Sequence, residues 1–150
     1  MNTKLMFSSE DMTWETPWNF FKRLDDEFHF TLDVCASETN AKCSKYFTVA
    51  DDGLSRKWGG QICWMNPPYG REMPKWIRKA YDESLSGSVV VCLIPSRTDT
   101  KVWHECCMKA AEIRFVKGRI KFGDGANSAP FPSAVVIFDG SKSGTKVTGY

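Results

Sequence analysis

Residues 66–69 read Asn66-Pro67-Pro68-Tyr69 and follow directly on the apolar run Ile62-Cys63-Trp64-Met65. The string constrains the chain twice. Its double proline makes a stiff turn at the end of a strand, and its side chains suit the capture of a planar amino group. The amide oxygen of Asn66 can accept one N–H of an adenine's exocyclic amine. Pro67 has no N–H of its own, so its carbonyl is free to accept the other. Pro68 completes the rigid turn, and Tyr69 offers a ring face on which an extruded base can stack. Two carbonyl acceptors gripping both hydrogens favour a pyramidal nitrogen with its lone pair out of plane. Neutral acceptors also stabilise the positive charge that builds on a nitrogen acting as nucleophile.

The chain of 150 residues fits one domain, expected to span 1–150 with loosely ordered tails at 1–10 and 140–150. It contains no run of about 18 apolar residues, so no membrane-crossing helix is expected. Residues 1–10 lack the basic-then-apolar build of a secretory signal. The six cysteines form no Cys-x-x-Cys pair and have only His29 and His104 beside them. Reduced core thiols in a cytoplasmic protein, with no metal site, are the expectation.

Charge is uneven. Residues 1–34 carry seven acids against three bases, and residues 35–150 carry seventeen bases against eleven acids. Arg114, Lys117, Arg119 and Lys121 fall within eight residues that hold no acid. Such a cluster suits phosphate contacts, or a solvated surface.

Apolar spacing predicts alternating strands and helices. Thr16-Pro17 reads as an N-cap followed by proline at the first helical position, and Phe20, Phe21, Leu24 and Phe28 recur at helical spacing, which predicts a helix over about 17–27. Strands are predicted over Phe30–Val34 and Gln61–Met65, with only 26 mostly polar residues between them. A helix starting at Pro74 buries Trp76, Ile77, Ala80, Tyr81 and Leu85; a strand over Ser88–Ile94, a helix over 99–111, and strands over Glu112–Val116 and Ala134–Phe138 follow. The pattern predicts a single α/β domain with helices on both faces of a mainly parallel sheet. Ligands then collect at the carboxyl ends of the strands. There lie Asp33-Val34-Cys35-Ala36-Ser37, the Asn66 string and Pro95-Ser96-Arg97-Thr98, with Asp51-Asp52-Gly53-Leu54 some fifteen residues before Asn66. Asp33 can equally cap local amides, and Asp51 and Asp52 can equally make an Asx-type turn.

The ordered set Thr16-Pro17, Asp33 to Ser37, Asp51 to Leu54, Trp58 and Asn66 to Gly70 resembles the phage-type DNA N-6-adenine methyltransferases. These Dam-like enzymes of phages and prophages use S-adenosylmethionine. The resemblance runs over about residues 8–138 and takes in Gly118 to Phe122 and Ser128 to Ser133. It implies a Rossmann-like methyltransferase fold, shortened between the first strand and the strand before Asn66. It also implies transfer of a methyl group to a flipped adenine of double-stranded DNA, in the host cytoplasm for a phage-encoded protein. Thr16 and Pro17 match the segment holding the donor's methionine part. Asp33, Cys35 and Ala36 match the loop beside its amino-acid and sulfonium portions, and Asp51 or Asp52 the acid contacting its adenine. Asn66, Pro67, Pro68 and Tyr69 match the catalytic string. Ser128 and Pro130 fall in the loop near the target base, while Arg97, Lys117, Arg119 and Lys121 remain candidates for the DNA backbone. Two departures stand out: Cys35-Ala36-Ser37 replaces the Gly-x-Gly of most such donor loops, and Glu38 is the nearest acid for the ribose hydroxyls. The catalytic string also serves methylation of RNA bases or of glutamine side chains. A nucleic-acid-binding module that lost catalysis is the reading from a different class.

Overall fold

The computed structural model describes residues 14–123 and 125–150; the expected tail at 1–10 lies outside them. Among the described residues, one six-stranded sheet organises the chain. Its elements are α1 (Trp18–Phe28), β1 (Leu32–Asp33), β2 (Ile62–Met65), α2 (Met73–Leu85), β3 (Val89–Pro95), α3 (Lys101–Glu105), β4 (Glu112–Phe115), β5 (Ser133–Asp139) and β6 (Lys146–Gly149). The strand order is β1-β2-β3-β5-β4-β6.

The sheet is mixed, where the sequence led us to expect a mainly parallel one. β1–β2, β2–β3 and β4–β6 pair parallel, but β5 runs antiparallel to both β3 and β4. The expectation rested on continuous apolar runs. Those report burial on both faces, not strand direction. β3 and β5 are buried over almost their whole length.

Helices do cover both faces. Trp64, Val91 and Ile137 are register partners across β2, β3 and β5, so their side chains share one face, and Phe21 of α1 packs edge-on against Trp64. Cys63, Val90 and Phe138 share the other, where Tyr81 of α2 meets Phe138. Proline in its first turn opens α2 as predicted, although Leu85 stands exposed and Ser84 is buried in its stead.

Four local expectations need correction. Thr16 does not cap α1; Pro17 holds that position without a side-chain bond, and the Thr16 hydroxyl faces Asn66. The first strand contracts to Leu32–Asp33, extended by single bonds from Thr31 to Ile62 and from Val34 to Trp64. The helix expected over 99–111 is the short α3, capped by the Thr100 hydroxyl, followed by a 3-10 turn at Cys107–Lys109. Finally, the tail at 140–150 is ordered by β6, whose edge pairing uses backbone groups and needs no apolar pattern.

The stretch between β1 and β2 holds no further strand, only an isolated bridge from Asp33 to Tyr46 and two 3-10 turns. It folds tightly over the end of β1. A Cβ on Gly53 would stand 2.6 Å from the Val34 carbonyl oxygen and 3.0 Å from the Trp76 ring, so only glycine fits.

Candidate active site

β2 ends at Met65, which delivers Asn66 to the carboxyl edge of the sheet. The Asn66 amide nitrogen donates to the Trp14 carbonyl and, at 2.9 Å, to the Thr16 hydroxyl. A carbonyl can only accept, so the Trp14 contact fixes which way the amide faces. Its oxygen Oδ1 is thereby turned inward, buried, and meets no donor among the described residues. A buried amide oxygen left unpaired costs about 1–3 kcal/mol. No described residue donates to the Pro67 carbonyl either. The tetrapeptide therefore presents two acceptors without partners among the described residues.

Segment 14–16 is clamped from two sides, by Asn66 and by the Gly123 amide, which donates to the Glu15 carbonyl at 2.9 Å. Around it Trp14, Tyr69, Phe122 and Phe131 form an aromatic cluster. The Tyr69 ring meets Phe131 edge-on at 5.5 Å and Phe122 at 6.4 Å, and Trp14 lies 5.3 Å from Phe131. Tyr69 is buried, and its hydroxyl donates to the Leu93 carbonyl at 3.0 Å. Burial drives its ionisation well above the ordinary tyrosine range. The phenol is a fixed, neutral prop.

Beside Asn66 runs a narrow cleft lined by Glu15, Thr16, Asp33, Cys35, Asn40 and Lys42. Asp33 is buried, and both its carboxylate oxygens are engaged: one accepts from the Cys35 amide at 3.2 Å, the other from the Lys42 amide at 3.0 Å. Burial raises its pKa, while the two amide bonds pull it back. Burial, reinforced by Asp33, pushes the Cys35 thiol up to about 12, so it stays protonated and unreactive at neutral pH.

The structure thus brings Thr16, Asp33, Cys35 and Asn66 together. The other expected residues lie elsewhere. Ala36 donates to the Phe47 carbonyl at the rim of the β1 loop. Asp51 accepts from the Thr48 amide and hydroxyl, and Asp52 is exposed at φ 55°; neither lines the cleft. Pro17 instead lines a hollow of about 440 Å³ with Arg23, Lys117, Arg119, Lys121 and Tyr150. Arg97 is exposed after β3, outside both. Ser128 and Pro130 are exposed on a loop anchored by the bond from the Ala129 amide to the Ile120 carbonyl.

Sequence reading missed Trp14, Glu15, Asn40 and Lys42, and it carried Phe122 and Phe131 only inside the matched segments Gly118 to Phe122 and Ser128 to Ser133, with neither singled out. All sit outside periodic elements, where burial leaves no spacing to read. Two aromatics in a loop otherwise rich in Gly, Ser and Pro were the one available signal.

The model of the DNA N-6-adenine-methyltransferase (Dam) family matches residues 2–142. The chain belongs to the Dam family. It is similar to the DNA N-6-adenine-methyltransferase of Haemophilus phage HP1, at 33% identity over 146 residues, covering 92% of this chain and 83% of the relative. It is also similar to the DNA N-6-adenine-methyltransferase of Escherichia phage T1, at 30% identity over 106 residues, 69% of this chain and 44% of that longer protein. As a Dam-family protein the chain is a DNA adenine methyltransferase, an enzyme with DNA as substrate and a need for a methyl donor. None of its described helices is long and apolar enough to cross a membrane.

Proposed function

We propose that this Dam-family chain moves a methyl group from S-adenosylmethionine to the exocyclic amine of an adenine flipped out of duplex DNA. The observation that carries the reading is the Asn66 amide, whose nitrogen is tethered to Trp14 and whose buried oxygen has no described partner. An acceptor held in that state is pre-organised for a donor brought by the substrate, and the adenine amine brings two.

Asn66 Oδ1 takes one amine hydrogen and the Pro67 carbonyl takes the other. Both are neutral, so they favour the charge developing on nitrogen without competing for its proton at the outset. When bound, S-adenosylmethionine supplies a methyl group on a sulfonium sulfur. The cleft beside Asn66 suits such a donor in charge: Glu15 and Asp33 against Lys42 leave it one negative charge, opposite to the donor's net positive one. Of the two acids expected at the donor's adenine, Asp51 is occupied by Thr48. Asp52 is exposed, which favours it for the contact.

Tyr69 supports the flipped base. Its buried ring, with those of Phe131 and Phe122, braces the partly exposed Trp14, the ring of this cluster open to a base whose unstacking costs a few kcal/mol. Arg23, Lys117, Arg119 and Lys121 around the neighbouring hollow supply phosphate contacts. Similarity to phage enzymes favours a phage-encoded protein working in a host cytoplasm.

The test is transfer of labelled methyl from S-adenosylmethionine to unmethylated duplex DNA, with Asn66→Ala as control. Label should appear on adenine N6 and vanish in the control while donor binding persists. Label on RNA or on glutamine in place of DNA would overturn the substrate, and Asn66→Ala activity near wild type would overturn the role of the amide.

A further inference from the structure

Lys42 belongs to the stretch between β1 and β2 that carries no regular spacing, yet it lines the same cleft as Asn66. Its Nζ is buried and makes no hydrogen bond with any described residue. The nearest stabilising group is the Trp18 ring, whose centroid lies 4.0 Å away. The placement is built: the Asp33 carboxylate, itself 2% exposed, holds the Lys42 amide nine residues along the chain and so turns that side chain into the cleft. Burial lowers the ammonium's pKa, and Glu15 and Asp33 only partly compensate. Neither acid comes within ion-pair distance of Nζ, since no Lys42 bridge occurs among the described residues. A buried ammonium with a cation–π contact and no anion beside it among the described residues is costly by itself and completed by a bound carboxylate.

We propose that Lys42 binds the α-carboxylate of the donor's methionine part, and so sets the orientation of the donor along the cleft. The inference rests on the proposed use of S-adenosylmethionine. The amino-acid end of that donor carries an ammonium and a carboxylate. Asp33 and Glu15 suit the first and Lys42 suits the second, which places the two acids and the one base of the cleft on opposite charges of one zwitterion. Free volume in the cleft is about 20 Å³, room for one water, so the donor has to spread it. The Lys42 stem is the side chain to yield, as its Nζ is held by an exposed ring and not by a salt bridge.

The test is calorimetric titration of wild type, Lys42→Met and Lys42→Arg with S-adenosylmethionine and with its decarboxylated analogue, which keeps the ammonium and the sulfonium. Lys42→Met preserves the apolar stem, and thermal unfolding verifies that it folds. Wild type should bind S-adenosylmethionine roughly 10–100-fold tighter than the analogue, the worth of a charge-assisted hydrogen bond. Lys42→Met should bind both with the analogue's affinity, and Lys42→Arg should restore part of the preference. A wild-type protein that binds both equally, or a folded Lys42→Met protein that keeps the preference, overturns the assignment and leaves the donor reading standing. Absence of binding of either compound to wild type overturns the donor reading and this inference with it.

Discussion

Two polar clusters of this molecule solve opposite problems. At the outer part of the sheet, the Arg114 guanidinium on β4 donates to both oxygens of Glu27 at 2.7 and 2.6 Å and to both oxygens of Glu112 at 2.9 and 3.3 Å. Its flat faces meet the Phe28 and Tyr150 rings at 5.6 and 5.5 Å. Every donor direction that matters is used. At the carboxyl edge, by contrast, Asn66 Oδ1 and Lys42 Nζ are buried with no described hydrogen-bond partner. The first cluster ties α1 to the sheet and needs nothing more. The second is unfinished among the described residues, and in the proposed reaction molecules from outside complete it. Charge alone would have ranked them the other way: Arg114 opens the basic run at 114–121, yet the acids beside it, not phosphate, claim it.

The largest effect expected from this contrast is at Asn66. Asn66→Ala should lower methylation by at least about 10²–10³-fold, as for removal of a preorganised transition-state contact. Its stability should fall by no more than about 1 kcal/mol, because the lost bonds to Trp14 and Thr16 are offset by removal of an unpaired buried oxygen. Rate assays and urea unfolding on the same preparation read both quantities. A loss of several kcal/mol would make Asn66 a structural residue and erase its difference from Arg114.

Tyr69 tests the border between the two kinds of role. Its ring belongs to the aromatic cluster beside the site, but its hydroxyl is spent on Leu93. Tyr69→Ala should cost about 3–5 kcal/mol and most of the activity, since it removes a buried ring. Tyr69→Phe should cost about 1 kcal/mol for the unpartnered Leu93 carbonyl, with methylation within a few-fold of wild type. Equal loss of activity in both variants would place the hydroxyl in the chemistry.

How far the sequence could be read follows from the same physics. The Asn66 string was legible because a double proline after an apolar run is local information. α2 was legible from its spacing and its first-turn proline. Strand direction was not, because a buried strand such as β5 is apolar whichever way it runs. β6 was missed since its pairing to β4 uses backbone, and its exposed side chains carry no apolar signal. Lys42 was invisible for a further reason. Its position depends on a bond to Asp33 in a loop without period, and composition marks it only as one more surface lysine.

Arg114→Met keeps the apolar packing of the long side chain and removes the ion pairs. A loss of about 1–2 kcal/mol is expected for this well-aligned, largely covered group, with methylation per folded molecule unchanged. A fall in activity without a fall in stability would mean that Arg114 touches DNA after all.

The smallest effect sharpens that result through pH. Hydrogen bonding to Arg114 holds the Glu27 carboxyl below its ordinary value of 4.5. A carboxyl with a lowered folded-state pKa adds stability that is fully present above its unfolded value and is lost as pH falls through the folded one. Wild type and Arg114→Met should therefore differ by a constant amount in melting temperature near neutral pH. The gap should close progressively below about pH 4.5, as the unfolded chain begins to take up the proton that folded Glu27 resists. Glu27 is half exposed, so solvent screening keeps the effect small, and added salt should shrink it further. A gap that stays constant down to pH 3 would assign the stabilisation by Arg114 to its ring contacts with Phe28 and Tyr150, leaving the carboxylates as spectators.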